Sequence, residues 1–361
     1  MQAVILVGGE GTRLRPLTYG TPKPMVPLFG VPILERTLSR LSHAGIDHVI
    51  LAAGYLPAAI ERHFGDGSRL GMRITYVVER EPLGTAGAIR NVAEHIVGPF
   101  FVLNGDVLTS LDLQAMIAEH EAKRGVGVLH AIRVDDPSAF GCIVRDGDGR
   151  ISRFVEKPPR DEAPTDEINA GTYLLEPSVL DLIPAGRNVS IEREVFPQLL
   201  ASGAALYSYA TSDYWLDLGR PDQYLQAHYD VLSGKTSLGP SADPTQRLGS
   251  MFGSMASAPS GIVPAVFIGN GVAIDERATI GPLATIGDGS AIGRDARVRG
   301  SVLWDGVVVG EGAEIAGAII ASNARIGAGA VIDAGAVIGH GVEVAAGAHV
   351  TSDARLAASA R

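Results

Sequence analysis

Along the first part of the chain, residues 1 to 232, short apolar runs alternate with amphipathic stretches. Val4–Val7, Val49–Ala53 and Phe100–Leu103 read as buried strands, whereas Ile33–His43 and Ala86–His95 carry the spacing of helices with one apolar face. Strands that alternate with helices predict an α/β unit on a mixed, mostly parallel sheet. In such sheets ligands bind beyond the carboxyl ends of the strands, so the loops after Val7, after Leu103 and around Trp215 are where chemistry is expected.

From 233 to 258 the pattern lapses into Ser, Gly, Pro, Ala and Met, as in Ser250–Ser257, and predicts a linker. Beyond it the apolar period becomes six. Aliphatic residues recur at Ile262, Ile268, Ile274, Ile280, Ile286, Ile292 and Val298, then at Ile320, Ile326, Ile332, Ile338, Val344 and Val350. A helix needs a period of about 3.6 and a half-buried strand a period of about 2, so neither fits. A six-residue period predicts a parallel β-helix over 259–353, with inward aliphatics stacked from coil to coil and a short tail at 354–361. The phase slips around Trp304–Val309 and again between Ile315 and Ile320, which predicts two shortened corners.

Composition narrows the function classes. The chain has 361 residues, 46% hydrophobic and 19% charged, enough for a sizeable core and two domains. A formal net charge of -10 argues against a broad nucleic-acid or anionic-lipid surface, so any phosphate must be met by a local cluster. The single cysteine, Cys142, has no internal partner and reads as a small core residue in a reducing compartment. The apolar start lacks a basic leader, and no run of eighteen uninterrupted apolar residues follows; neither a signal peptide nor a membrane span is expected, and the cytoplasm is the expected location.

The local cluster is easy to find. After the first strand come Gly8-Gly9-Glu10-Gly11-Thr12-Arg13-Leu14-Arg15-Pro16-Leu17-Thr18 and then Thr21-Pro22-Lys23-Pro24. Glycines let the backbone aim several N–H groups at one anion, and Arg13, Arg15 and Lys23 outnumber Glu10, so the segment reads as a polyphosphate cradle. The dinucleotide fingerprint would need a third glycine where Leu14 stands, and the P-loop needs Gly-Lys-Ser/Thr after four intervening residues; both fail on spacing.

Two carboxylates follow strands: Asp106 in Asn104-Gly105-Asp106 and Asp217 in Trp215-Leu216-Asp217-Leu218-Gly219. Magnesium takes one or two carboxylates with phosphate oxygens and waters completing its shell, so this pair is the candidate Mg2+ site. A third cluster, Glu156-Lys157-Pro158 with Asn169-Ala170-Gly171, combines a point charge for a phosphate with groups that suit sugar hydroxyls.

Taken together, Gly-Gly-x-Gly-Thr-Arg-Leu-x-Pro-Leu-Thr, Lys-Pro, Pro-Leu-Gly-Thr-Ala-Gly (82 to 87), Asn-Gly-Asp, Val-Glu-Lys-Pro, Asn-Ala-Gly and Trp-x-Asp-x-Gly resemble the sugar-phosphate nucleotidyltransferases. The resemblance spans residues 1 to about 230 and implies a Rossmann-like, GT-A-like catalytic domain, here followed by a left-handed β-helix. It implies that Arg13 meets the departing pyrophosphate, Lys23 the nucleotide phosphates, and Asp106 and Asp217 the magnesium. Leu6, Gly8, Gly9, Gly11, Thr12, Glu79, Gly84 and Asn104 fall at the family's nucleotide-binding positions. Gly141, Glu156, Lys157, Asn169, Gly171 and Asp217 fall at its sugar-phosphate positions. Within the family, Glu81–Gly87 and Ser190–Pro197 resemble the guanylyltransferases that act on mannose 1-phosphate, which implies GTP and mannose 1-phosphate as substrates. Glu79 stands where thymidylyl members often carry glutamine, and a carboxylate suits the N1–H and 2-amino donors of guanine.

Alternative readings follow from the same residues. Other base and sugar pairs, as in glucose-1-phosphate thymidylyl- or uridylyltransferases, share the motifs, and silent subunits that sense a nucleotide sugar share the domain order. An acyltransferase in the β-helix would need His340 or His349 as its base, but no long loop interrupts the repeats. The β-helix reads instead as a surface for homo-oligomer assembly or regulation.

Overall fold

The computed structural model describes residues 1–238, 251–252 and 261–358; most of the expected linker and the end of the expected tail lie outside these. The chain divides into two compact units, Met1–Gly9 with Leu34–Trp215, and Glu10–Ile33 with Leu216–Arg361.

The first unit is built on a nine-stranded sheet. Its strands are β1 (Gln2–Val7), β2 (His48–Ala53), β3 (Arg73–Val78), β4 (Phe100–Asn104), β5 (Gly127–Arg133), β6 (Gly141–Arg145), β7 (Ile151–Glu156), β8 (Glu167–Leu175) and β9 (Leu206–Ala210). The order runs β7-β6-β8-β4-β1-β2-β3, with β5 also pairing β8 and β9 pairing β5. Pairings around β1 are parallel, and those that β8 makes are antiparallel. β2 is buried along its whole length, which explains its continuous apolar run: a strand covered on both faces has no reason to alternate. Val4, Ile50, Phe100, Val102, Tyr173 and Phe196 share one core on this sheet. The helix expected at Ile33–His43 is present, and the Ala86–His95 pattern resolves into a helix, Gly84–Asn91, and a 3-10 turn, Ala93–His95.

In the second unit the six-residue period becomes three parallel sheets of seven, five and five strands, the faces of a β-helix. Ile268, Ile286, Leu303, Ile320 and Ile338 stack in register on one face. Ile280, Val298, Ile315, Ile332 and Val350 stack on another. These side chains form one continuous core, each contributing about 1.5–3 kcal/mol by leaving water.

Two corners are one residue short. Ala273 pairs Ala291, eighteen residues on, but Thr285 pairs Val302, seventeen on. The first short corner lies at Gly300, between Val298 and Leu303, one corner earlier than the apolar phase suggested; the second lies at Gly317, between Ile315 and Ile320, as expected. Both glycines have positive φ, 53° and 62°, a backbone state that turns the corner without an extra residue. The displaced expectation has a simple cause: Trp304 is itself buried and masks the phase.

A helix, Pro221–Leu232, packs on the coils. His228 Nδ1 lies 3.0 Å from Thr285 Oγ1, Trp304 Nε1 donates to the Tyr224 hydroxyl at 3.0 Å, and the Tyr229 hydroxyl donates to Gly300 O. Among the described residues no helix is long and apolar enough to cross a membrane.

Candidate functional site

One edge of the nine-stranded sheet collects the first unit's share of the predicted residues. Leu6, near the end of β1, is in register with Asn104 at the end of β4. The next residue, Gly105, donates its N–H to Leu6 O at 3.1 Å, and a side chain on it would meet that oxygen at 2.7 Å. The bare Gly105 therefore brings the two strand ends together and delivers Asp106 to the same edge.

Gly8 follows β1 and packs against Gly54, which follows β2. Glu79 follows β3; its N–H donates to Ala53 O at 2.8 Å, and its Oε2 accepts from Leu83 N at 3.2 Å. A side chain on Gly8 would begin 3.8 Å from Glu79 Oε1. Burial pushes the Glu79 carboxyl above the ordinary glutamate range, and the Leu83 N–H opposes that. Gly84 has φ +68°, and a side chain there would strike Val189 O at 2.6 Å. The Pro82–Gly87 segment is also stitched to residues beyond 187: Asn188 Nδ2 donates to Pro82 O at 2.9 Å and Thr85 Oγ1 donates to Glu192 Oε2 at 2.8 Å.

On the antiparallel side of the sheet, Glu156 at the end of β7 pairs with Gly141 at the start of β6. A side chain on Gly141 would come within 2.8 Å of Glu156 Oε2. Lys157 takes a left-handed conformation, φ 50°, and holds its ammonium 3.6 Å from Glu156 Oε1. Burial raises the Glu156 carboxyl, the Glu192 carboxylate adds to the rise, and Lys157 and Arg193 pull it down.

Between these groups, β8 shifts register from Asn169 to Tyr173. Asn169 Oδ1 accepts from Gly171 N at 3.0 Å and Asn169 Nδ2 donates to the Tyr173 hydroxyl at 2.8 Å. Gly171 has φ +75°, and a side chain on it would lie 2.5 Å from Asn104 Nδ2, so the bulge and the end of β4 touch. Trp215 Nε1 donates to Ala170 O at 2.8 Å, which fixes the chain just ahead of Asp217. Cys142 is fully buried in β6, as expected of a core residue, and burial raises its thiol.

The second unit carries Gly11, Thr12, Arg13, Lys23 and Asp217. Gly11 is left-handed at φ +63°, a 3-10 turn spans Thr12–Leu14, and Thr18 Oγ1 donates to Gly11 O at 2.8 Å. A side chain on Gly11 would lie 3.0 Å from Lys23 Cβ, so this glycine lets the lysine stem lie against the turn. The Arg15 guanidinium donates to Glu10 Oε2 at 2.8 Å, so its charge is partly offset within the segment. Arg13 is exposed, and both Arg13 Nη2 and Asp217 Oδ1 approach Gly219.

These loops fit a known group. The chain matches the Nucleotidyl transferase family over residues 2–234 and the EIF2B subunit epsilon LbH domain over residues 254–350. It belongs to the nucleotidyl transferase family. This nucleotidyl transferase is 45% identical over 284 residues to the mannose-1-phosphate guanylyltransferase of Mycobacterium tuberculosis, an alignment covering 78% of this chain and 77% of that protein. It is 42% identical over 248 residues to the probable mannose-1-phosphate guanylyltransferase 2 of Arabidopsis thaliana, covering 65% of this chain and 67% of that one. Among solved structures it resembles HddC from Yersinia pseudotuberculosis in complex with GMP-PN. The TM-score is 0.54 and the identity 31%, with 63% of this chain and 97% of that one covered.

Three residues of the nucleotidyl transferase make contacts that the sequence motifs do not record. Glu192 sits on a π turn, Ile191–Val195, and accepts from both Thr85 Oγ1 and Ser190 Oγ; the Ser190–Pro197 motif flagged the segment without revealing that contact. Gly219, the last residue of the Trp-x-Asp-x-Gly motif, and His340, a candidate base, carry no local sign that they meet Arg13 and Leu17, because those residues are distant in the chain. His349 is exposed and bonds Asp333 Oδ2 at 2.8 Å on the outside of a coil.

Proposed function

We propose that this nucleotidyl transferase condenses GTP with mannose 1-phosphate to give GDP-mannose and pyrophosphate. The observation that carries the reading is the single sheet edge on which Leu6, Gly8, Glu79, Asn104, Asp106, Gly141, Glu156, Lys157, Asn169 and Gly171 lie; the relatives named above support its substrates. A non-bridging oxygen of the sugar phosphate attacks the α-phosphorus of the nucleotide in line. One P–O bond forms, the bond to the β-phosphate bridge breaks, and pyrophosphate leaves with the electron pair, so no covalent protein intermediate is needed.

The chain's residues bind and orient. Lys23 and the Gly8–Gly11 backbone take the nucleotide phosphates, and Arg13 takes the departing pyrophosphate. Glu79 and Gly84 take the base. Lys157 takes the sugar phosphate, with Glu156, Asn169 and Gly171 around the hydroxyls. Catalysis by such residues is positioning and charge neutralisation.

Among the described residues, no group of three or more His, Cys, Asp or Glu is placed to hold a metal alone. Carboxylates completed by phosphate oxygens and water are the donor type that suits magnesium, and Asp106 and Asp217 are the residues we assign to it. When bound, the ion would neutralise charge on the phosphates. We also place the enzyme in the cytoplasm and assign the open ends of its β-helix to self-association; a monomer by light scattering at micromolar protein would remove that assignment.

The test crosses GTP, dTTP, UTP, CTP and ATP against mannose and glucose 1-phosphates and reads pyrophosphate release with magnesium. Release confined to GTP with mannose 1-phosphate is expected. Another productive pair would correct the substrates, and nucleotide-sugar binding with no release would replace the enzyme by a sensing subunit.

A further inference from the structure

The Glu10–Ile33 segment, which carries Arg13 and Lys23, belongs to the same compact unit as the β-helix. Its attachment is specific. His340 is a corner residue of the coils, and its Nε2 lies 3.1 Å from Leu17 O and 3.3 Å from Thr21 Oγ1. A carbonyl oxygen only accepts, so the bond to Leu17 requires the proton on Nε2. Beside it, a side chain on Gly339 would come within 3.3 Å of Pro16 Cβ, so the coil backbone lies close against the proline.

The imidazole is itself held. Its ring meets Trp304 edge-on with centroids 5.3 Å apart, and Trp304 donates Nε1–H to the Tyr224 hydroxyl at 3.0 Å. That hydroxyl in turn donates to Pro27 O, farther along the same segment. Trp304 is 4% exposed and Tyr224 is fully buried, so water does not compete for these bonds. A half-buried imidazole backed by two buried aromatics therefore grips the segment at Leu17, Thr21 and Pro27. Those points bracket Lys23 on both sides, and Leu17 lies four residues past Arg13.

We propose that His340 is a positioning residue: the β-helix, through this imidazole, sets the conformation of the loop that presents Arg13 and Lys23 to the nucleoside triphosphate. The proposal rests on the nucleotidyl transferase reading for its kinetic consequence, but not for its structural one. Without the Nε2–H bond, Leu17 O loses its donor and the turn between Arg13 and Lys23 loosens. A misplacement of about 1 Å is enough to cost on the order of 10²-fold in rate.

The test uses the full chain with His340→Ala and His340→Gln, the latter keeping an N–H donor at similar reach. His340→Ala is expected to raise KM for the nucleoside triphosphate at least tenfold while changing KM for the sugar 1-phosphate less than threefold, and His340→Gln to restore most of the loss. Backbone hydrogen exchange gives a second readout: amides between Leu14 and Met25 should exchange faster in His340→Ala and near the wild-type rate in His340→Gln. Unchanged exchange there would overturn the proposal. So would an equal rise in both KM values that tracks a fall in Tm and that glutamine does not rescue. If the wild type releases pyrophosphate with no substrate pair, the proposed function fails, while the exchange experiment still decides whether His340 holds the loop.

Discussion

The guanidinium of Arg13 and the carboxylate of Asp217 close over one bare Cα, that of Gly219. A methyl group there would lie 2.6 Å from Arg13 Nη2 and 2.8 Å from Asp217 Oδ1. The backbone of Gly219 is not left-handed, so alanine is conformationally permitted. What alanine displaces is the ends of two flexible side chains, at little cost to the fold. Gly219→Ala should therefore lower kcat by on the order of 10²-fold with a Tm within about 2 °C of wild type. Parallel kinetics and calorimetry check this; wild-type turnover would show that the Arg13 and Asp217 head groups are not needed where they stand.

The two aspartates separate function from stability in a different way. Asp106 follows a strand end fixed by Gly105, and Asp217 ends a short strand, Trp215–Asp217, anchored through the Trp215 indole, so backbone bonds from other residues already hold both segments. Asp106→Asn and Asp217→Asn should each reduce turnover at least 10³-fold at saturating magnesium while the melting curve stays close to wild type. Wild-type-like turnover in either variant would remove that carboxylate from the metal site.

Much of this was legible in the chain. The six-residue period dictates the β-helix because each coil buries one aliphatic per face, and the strand ends after Val7 and Leu103 are where α/β sheets are expected to bind ligands. The division after Gly9 was not legible. It arises because Glu10–Ile33 is tied to residues more than 300 positions away, as in Leu17 with His340, and no local pattern records such a bond. Arg15 shows the same limit at short range. Its residue type suits a phosphate cradle, yet Glu10 lies near enough to bind it, and counting charges does not reveal that pairing.

Glu156 gives a prediction with a sign. Its carboxyl is raised above the ordinary value of 4.5, so the ionised form is the one that folding disfavours. Stability from the neutral form is fully present below 4.5 and is lost as pH rises through the raised value. Glu156→Gln removes that penalty and should melt higher than wild type at pH 7–8, the gap closing as pH falls through the raised pKa toward the ordinary range. The same variant should raise KM for the sugar 1-phosphate. A Tm difference that does not depend on pH would show that the carboxyl is not strained by burial.

Glu79 tests base recognition. Its backbone N–H is bonded to Ala53 O and its Oε2 accepts from Leu83 N, so the side chain is held at both ends while Oε1 lies toward Gly8. Guanine presents two donors, N1–H and the 2-amino group, and a carboxylate accepts both more strongly than an amide does. Glu79→Gln keeps an acceptor for Leu83 and the shape of the site but gives up the charge. KM for GTP should rise roughly tenfold, equivalent to about 1.4 kcal/mol, with kcat nearly unchanged and discrimination against dTTP reduced. Measuring both nucleotides matters, because a looser loop would weaken them alike, whereas loss of a guanine contact weakens GTP alone. An unchanged KM for GTP would leave Glu79 as a cap for Leu83 and move base recognition to the backbone around Gly8 and Gly84.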